Sequence, residues 1–199
     1  MPKPFGYNEK LPEEIRDIFI RLCQDVVSLN QKWQLYTDLF TDPDVTALLS
    51  NIARGAFQVI EETLRNDMTM LIGRLCDPAI SGGHKNISLR ALLEQAPTIP
   101  GLDKKVEDFI GACKTVERHR NKAVAHNDLD TFILPHKNPL PGIMRGQVNE
   151  IVGKAGEILN FVVQRYDDCD LAFDFLVDVG GADHLIFWLR KAKERSARL

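Results

Sequence analysis

The sequence predicts an all-α fold, a helical bundle of about four to five main helices with a long antiparallel first pair. Two observations carry this. Apolar residues recur at three- and four-residue steps through most of the chain, and the runs open on proline or capping residues such as Pro12-Glu13-Glu14 and Thr41-Asp42-Pro43.

The first run extends from Pro12 to about Phe40 and places Ile15, Ile18, Phe19, Leu22, Val26, Leu29 and Trp33 on one helical face. After Thr41-Asp42-Pro43 a second run continues to about Cys76 through Val45, Leu48, Leu49, Ile52, Ala56, Val59, Ile60, Leu64, Met68, Leu71, Ile72 and Leu75, all expected to face inward. So short a connection makes the two helices antiparallel neighbours. Asp77-Pro78 and Ser81-Gly82-Gly83 are expected to end the second helix, and Ser88 to Glu94 forms a short helix before Pro97 and Pro100.

A third main helix is expected from Leu102 to about Ala125, with Val106, Phe109, Ile110, Cys113 and Val116 apolar. Residues 129–146, with Pro135, Pro139, Pro141 and Gly142, read as a surface loop. A fourth main helix follows from about Gln147 to Tyr166, with Ile151, Ile158, Leu159, Val162 and Val163 inward. Residues 170–179 suit a buried helical turn and an extended segment equally. The last helix, 182–199, follows Gly180-Gly181 and carries Leu185, Ile186, Trp188 and Leu189 before a basic end.

With 199 residues and 44% hydrophobic content the chain is expected to form a single domain over 1–199. A net charge of −3 excludes the broad basic excess of a general nucleic-acid coat, so any RNA contact must be local. Cys23, Cys76, Cys113 and Cys169 are far apart and read as free thiols of a reducing compartment. No basic start leads into an apolar run, and no stretch approaches the ~18 apolar residues of a membrane span. A cytoplasmic protein without a membrane partner is expected.

Chemistry concentrates in Glu117 to Asp128, which packs Arg118, His119, Arg120, Lys122 and His126 into one helix-forming stretch. On an ideal helix Arg120 shares the core stripe with Phe109, Cys113, Val116 and Ala123, so its guanidinium needs a carboxylate, carbonyls or a phosphate. If that need is structural, Glu61, Glu62, Asp67 or Glu150 on a neighbouring helix is the expected partner. Arg120 and His126 would stand about 120° and about 9 Å apart, too far for one helix to make them a tight pair. His119, Lys122 and His126 align beside Arg120 as a stripe of donors.

Arg120-Asn121, followed after four more residues by His126, resembles the R-x(4–6)-H signature of the HEPN superfamily, with a polar residue after the arginine and small Ala123 and Ala125 before the histidine. The whole-chain pattern is most similar to the AbiU2-like branch. The resemblance implies an all-helical homodimer whose motifs face each other across a cleft, cutting RNA without metal or other cofactor. Arg120, His126 and Asn121 would be catalytic, and Arg118, His119 and Lys122 would bind RNA. It also implies a setting of bacterial defence against phage and an antitoxin or other regulatory protein as a further partner. Some HEPN toxins carry a tyrosine two residues after the histidine that a partner enzyme modifies; here Asp128 stands there, which sets that scheme aside and leaves its carboxylate to orient His126 or raise its pKa. Many HEPN domains are scaffolds, so the alternative is a non-catalytic dimerisation or binding module.

Other groupings are weaker. His119, His126 and Asp128 are too spread along the helix for a metal set. Ser81 and His84 share a loop without a catalytic partner, and Gly82-Gly83 and Gly180-Gly181 read as helix stops. Arg190, Lys191, Lys193, Arg195 and Arg198 complement a helix dipole and could touch an RNA backbone, and Trp33 and Trp188 read as core or dimer-seam residues.

Overall fold

Asp42 and Pro43 decide how the chain folds back on itself. The Asp42 carboxylate accepts from the amides of Asp44 (2.7 Å) and Val45 (3.3 Å), and Pro43 fills the first helical position, where no amide is needed. The computed structural model describes residues 9–96, 99–125, 128–133, 136–137, 139–140, 142–174 and 181–196. In it α1 (Glu13–Phe40) and α2 (Pro43–Cys76) run antiparallel on either side of this cap, close to the bounds expected from sequence.

The main core lies where α4 (Leu102–His119) and α6 (Arg145–Val163) pack on the first part of α1 and the last part of α2. Phe19, Leu22, Leu29, Ile72, Phe109, Val116, Ile151 and Leu159 are all buried there. The short α3 (Leu89–Gln95) closes one side, capped by Ser88, whose hydroxyl accepts from the Ala91 amide at 3.2 Å. A second core forms at the other end of the hairpin, where Ala182 and Ile186 of α7 (Ala182–Ser196) sit on Leu39, Phe40, Val45, Leu48 and Leu49.

Between the two cores α2 is covered on one side only. Its buried residues fall at its ends, and Ile52, Val59 and Ile60 are 40%, 63% and 40% exposed, contrary to the inward positions expected for them. The reason is tertiary: the buried residues of α2 fall in Val45 to Leu49 and Met68 to Cys76, and between them Phe57 and Leu64 turn toward the second core while Ile52, Val59 and Ile60 do not. Ala53 leaves helical geometry (φ −156°, ψ 64°) at the boundary between the α7-covered end and this open stretch.

Three other expectations need correction. α2 ends at Asp77-Pro78 alone, and Ser81-Gly82-Gly83 belongs instead to a small hairpin, β1 (Ile80–Ser81) with β2 (His84–Lys85), whose two glycines have positive φ as a tight two-residue turn requires. The expected loop 129–146 begins with a helix, α5 (Leu129–Ile133), because the Asp128 carboxylate caps it through the Thr131 amide (3.1 Å) and hydroxyl (2.7 Å). The third helix does not stay α-helical to Ala125: Arg120–Val124 is a π turn. Residues 170–174 are not helical; the rest of the ambiguous segment, 175–179, and the end of the last helix, 197–199, lie outside the described residues. Among the described residues no helix is long and apolar enough to cross a membrane.

Phe109 is fully buried at the centre of the main core. Replacing it by alanine is expected to cost about 3–5 kcal/mol, read as a lowered urea midpoint at unchanged slope.

Candidate functional site

Arg120 closes α4 over the backbone of α2. A methyl group built on Gly73 would come within 2.2 Å of Arg120 Cδ, 2.5 Å of Nη1 and 2.8 Å of Nε, so the guanidinium stem occupies the space that any other residue at 73 would fill. One turn further along, α2 ends at Asp77, held extended by the following Pro78. Its carboxylate accepts from Arg120 Nη1 at 2.7 Å, with the two side chains 17% and 26% exposed. Asn121 Oδ1 accepts from Arg120 Nε at 3.1 Å. Among the described residues Nη2 donates to nothing.

The partner is thus Asp77 and none of Glu61, Glu62, Asp67 and Glu150, which were the sequence candidates. Arg120 does follow the core stripe, but that stripe meets α2 at Gly73, and the nearest carboxylate is the one at the helix end. A cation there also faces the negative end of the α2 dipole. Beneath the pair lie Cys76 and Cys113, both buried and in contact, with the hydrogen bond to the Cys76 sulfur first and burial second raising the Cys113 thiol above its ordinary range. Both are packing groups of the main core.

Glu117, one turn before Arg120, is half-buried, and that burial raises its carboxyl above the ordinary value against the opposing pull of Arg120 and Arg90. Asp77 pushes it up further and Lys114 down, so five charged groups from α2, α3 and α4 share one neighbourhood. Beside it a groove of about 470 Å³ runs between α3 and α4, with Arg90 and Lys114 on its walls.

Beyond Arg120 the helix widens. The Ala125 amide reaches back to the Arg120 carbonyl at 2.7 Å, five residues away, in place of the four of an α-helix. Angles of 100° per residue therefore do not carry past Arg120. π turns concentrate at functional sites because they re-aim side chains without ending the helix. The widened segment is then tied down by Asp128, whose amide donates to the Lys122 carbonyl (3.1 Å) and whose Oδ2 accepts from Lys122 Nζ (2.5 Å). Its other oxygen caps α5, so Asp128 fastens the widened segment to the next helix. The lysine first, then the Thr131 hydroxyl and amide, hold the Asp128 carboxyl down at about 2.

Of the residues singled out by sequence, Arg120 and Asn121 are joined directly, Lys122 is engaged by Asp128, Arg118 is exposed and His119 is half-buried on the flank of α4. His126 and Asn127 lie outside the described residues. Three members were not found from sequence: Gly73, Asp77 and Glu117. A signal existed for Gly73, because a glycine inside the apolar run Leu71-Ile72-Gly73-Arg74-Leu75 costs about 1 kcal/mol of helix propensity and so implies a close approach. Among the described residues no group of three histidine, cysteine, aspartate or glutamate side chains converges as a metal site.

A family model described as AbiU2, of the HEPN class, matches residues 12–185. The match covers most of the chain, including Gly73, Asp77 and the Arg120 segment, and the chain belongs to the AbiU2 family of HEPN domains. No curated protein and no solved structure shows significant similarity to it.

Two outcomes follow from this geometry. Gly73→Ala should leave the helical circular dichroism unchanged and push Arg120 off its seat. In a double-mutant cycle of Asp77→Ala with Arg120→Ala the coupling, about 1 kcal/mol in the parent, should vanish in the Gly73→Ala background. For Asp128, a folded pKa below the unfolded one means that its fastening is fully present above about pH 4 and lost as the pH falls toward 2. Its carboxyl carbon should titrate near pH 2 by NMR, and move up toward an ordinary aspartate in Lys122→Gln.

Proposed function

We propose that this AbiU2-family chain is an endoribonuclease of HEPN type, working as a two-fold dimer and cutting RNA without a metal ion. The observation that carries the reading is the posture of Arg120. An arginine seated on Gly73, gripped at Nη1 by Asp77 and at Nε by Asn121, with Nη2 unengaged among the described residues, is pre-organised to bind a phosphate. Arginine suits the task because its planar, permanently charged fork meets the charge that grows on the phosphate oxygens.

The nucleophile is the RNA's own 2′-hydroxyl. Its oxygen bonds to the adjacent phosphorus as the bond to the 5′-oxygen breaks, leaving a cyclic phosphate and a 5′-hydroxyl. One proton leaves the 2′-hydroxyl and one joins the departing oxygen. His126 is assigned both transfers, in the two copies of a composite site, because an imidazole titrates near neutrality. Arg118 and His119 would contact flanking phosphates, and Lys122 does so only by giving up Asp128. The open stretch of α2 with Ile52, Val59 and Ile60 supports the dimer, since an isologous contact needs a single apolar face on each copy. A role in phage defence and an antitoxin-like regulator belong to this reading as its setting.

The Asp77 pair itself favours a second reading, a non-catalytic binding or dimerisation module in which Arg120 only ties α4 to α2.

Cleavage of mixed cellular RNA in EDTA separates the two. Wild type is expected to leave cyclic-phosphate ends, and Arg120→Ala and His126→Ala to fall by at least about a hundredfold while remaining folded. Arg120→Lys is expected to fold and dimerise without cutting. Lost stability in Arg120→Lys together with an inactive wild type would establish the module instead.

A further inference from the structure

The outer face of α7 carries a group of rings and cations that the Arg120 site does not use. Ala182 and Ile186 turn inward to the second core, which turns Phe187 and Trp188 outward, 51% and 56% exposed. The rings are held in place. Trp188 Nε1 donates to His184 Nε2 at 2.8 Å, Phe187 meets Trp188 edge-on with centroids 5.4 Å apart, and Lys191 Nζ lies 6.0 Å from the Phe187 ring centre. At helical spacing His184, Phe187, Trp188, Lys191 and Arg195 share this face. Arg190 and Lys193 turn to one side, into a groove of about 560 Å³ shared with Asp44 and Asn51 of α2.

Exposed aromatic rings with cations between them are the combination that binds single-stranded nucleic acid, bases stacking on the rings and phosphates meeting the cations. The charge supports that occupant. α7 bears Arg190, Lys191, Lys193 and Arg195 against Asp183 and Glu194, in a chain whose net charge is −3. A two-fold contact through the same face would bring those cations onto their own copies, which disfavours a second copy of the chain. The ring-bearing turns from Ile186 onward lie beyond the residues matched by the family model, 12–185.

We infer that the Phe187–Trp188–Lys191–Arg195 face of α7 is a second RNA site, a stacking platform for single-stranded RNA remote from the cleavage site. It deepens the ribonuclease reading and rests on it for its biological sense, although binding is separable from cutting. α7 docks near Leu48 and Arg120 near Gly73, roughly 35 Å apart along α2. The platform therefore acts on long strands and leaves short fragments untouched.

The test is fluorescence anisotropy with a long single-stranded uridine oligonucleotide, on the full chain bearing Arg120→Ala so that nothing is cut. Adding Phe187→Ala and Trp188→Ala is expected to weaken binding at least about tenfold, with circular dichroism and oligomeric state unchanged, while Trp188→Phe alone retains it. Lys191→Gln with Arg195→Gln should lower the salt slope by roughly 1.4. Equal affinity in all variants overturns the inference. So does loss of binding that tracks a change of oligomeric state, or binding to phosphatidylserine vesicles without binding to RNA. If the platform binds while wild type cuts no RNA, the ribonuclease reading fails and this site stands; if wild type cuts and the ring variants bind unchanged, only the platform fails.

Discussion

A guanidinium lying on a helix backbone needs three things at once: room for its stem, a carboxylate within reach, and a donor edge that is satisfied or solvated. Gly73 provides the room, Asp77 the carboxylate and Asn121 part of the edge. The contact also fixes how α4 crosses α2, because the arginine bridges the last turns of both helices just above the buried Cys76 and Cys113. Stability and chemistry here share the same atoms. A charge that stayed buried and unpaired would cost several kcal/mol, so Asp77 has a structural role whether or not a phosphate ever arrives.

The segment after Arg120 illustrates a different economy. A π turn carries one surplus residue per turn and is not a state the chain would hold alone. It is held from both sides, by the Arg120 contacts before it and by Asp128 after it. Asp128 joins the widened helix to α5 with one carboxylate, pairing with Lys122 and capping through Thr131. Arg120 and Lys122 are thereby presented on a constrained, non-α-helical backbone.

Burial along α2 is uneven in a way that matters for assembly. Its two ends belong to separate cores, and its middle offers Ile52, Val59 and Ile60 to solvent. An amphipathic pattern tells which residues want cover and not whether the same chain provides it. α7 raises the same question with a different answer, because its outward residues are rings interleaved with cations, whereas those of α2 are aliphatic.

The first two long helices and the short α3 were legible in the sequence almost to the residue: the Asp42-Pro43 cap, the end of α2 at Asp77-Pro78 and the Ser88 cap are local chemistry, decided within a few neighbouring residues. Arg120 and Asn121 were legible too, through the motif. The Asp77 partner, the Gly73 seat, the π turn and the half-buried Glu117 were not, because each depends on which turn of α2 lies beneath α4, a register set by packing between residues more than forty positions apart. The exposure of Ile52, Val59, Ile60, Phe187 and Trp188 was hidden for the same reason. Periodicity assigns a residue to a face of its helix, and only the tertiary structure decides what, if anything, comes to cover that face.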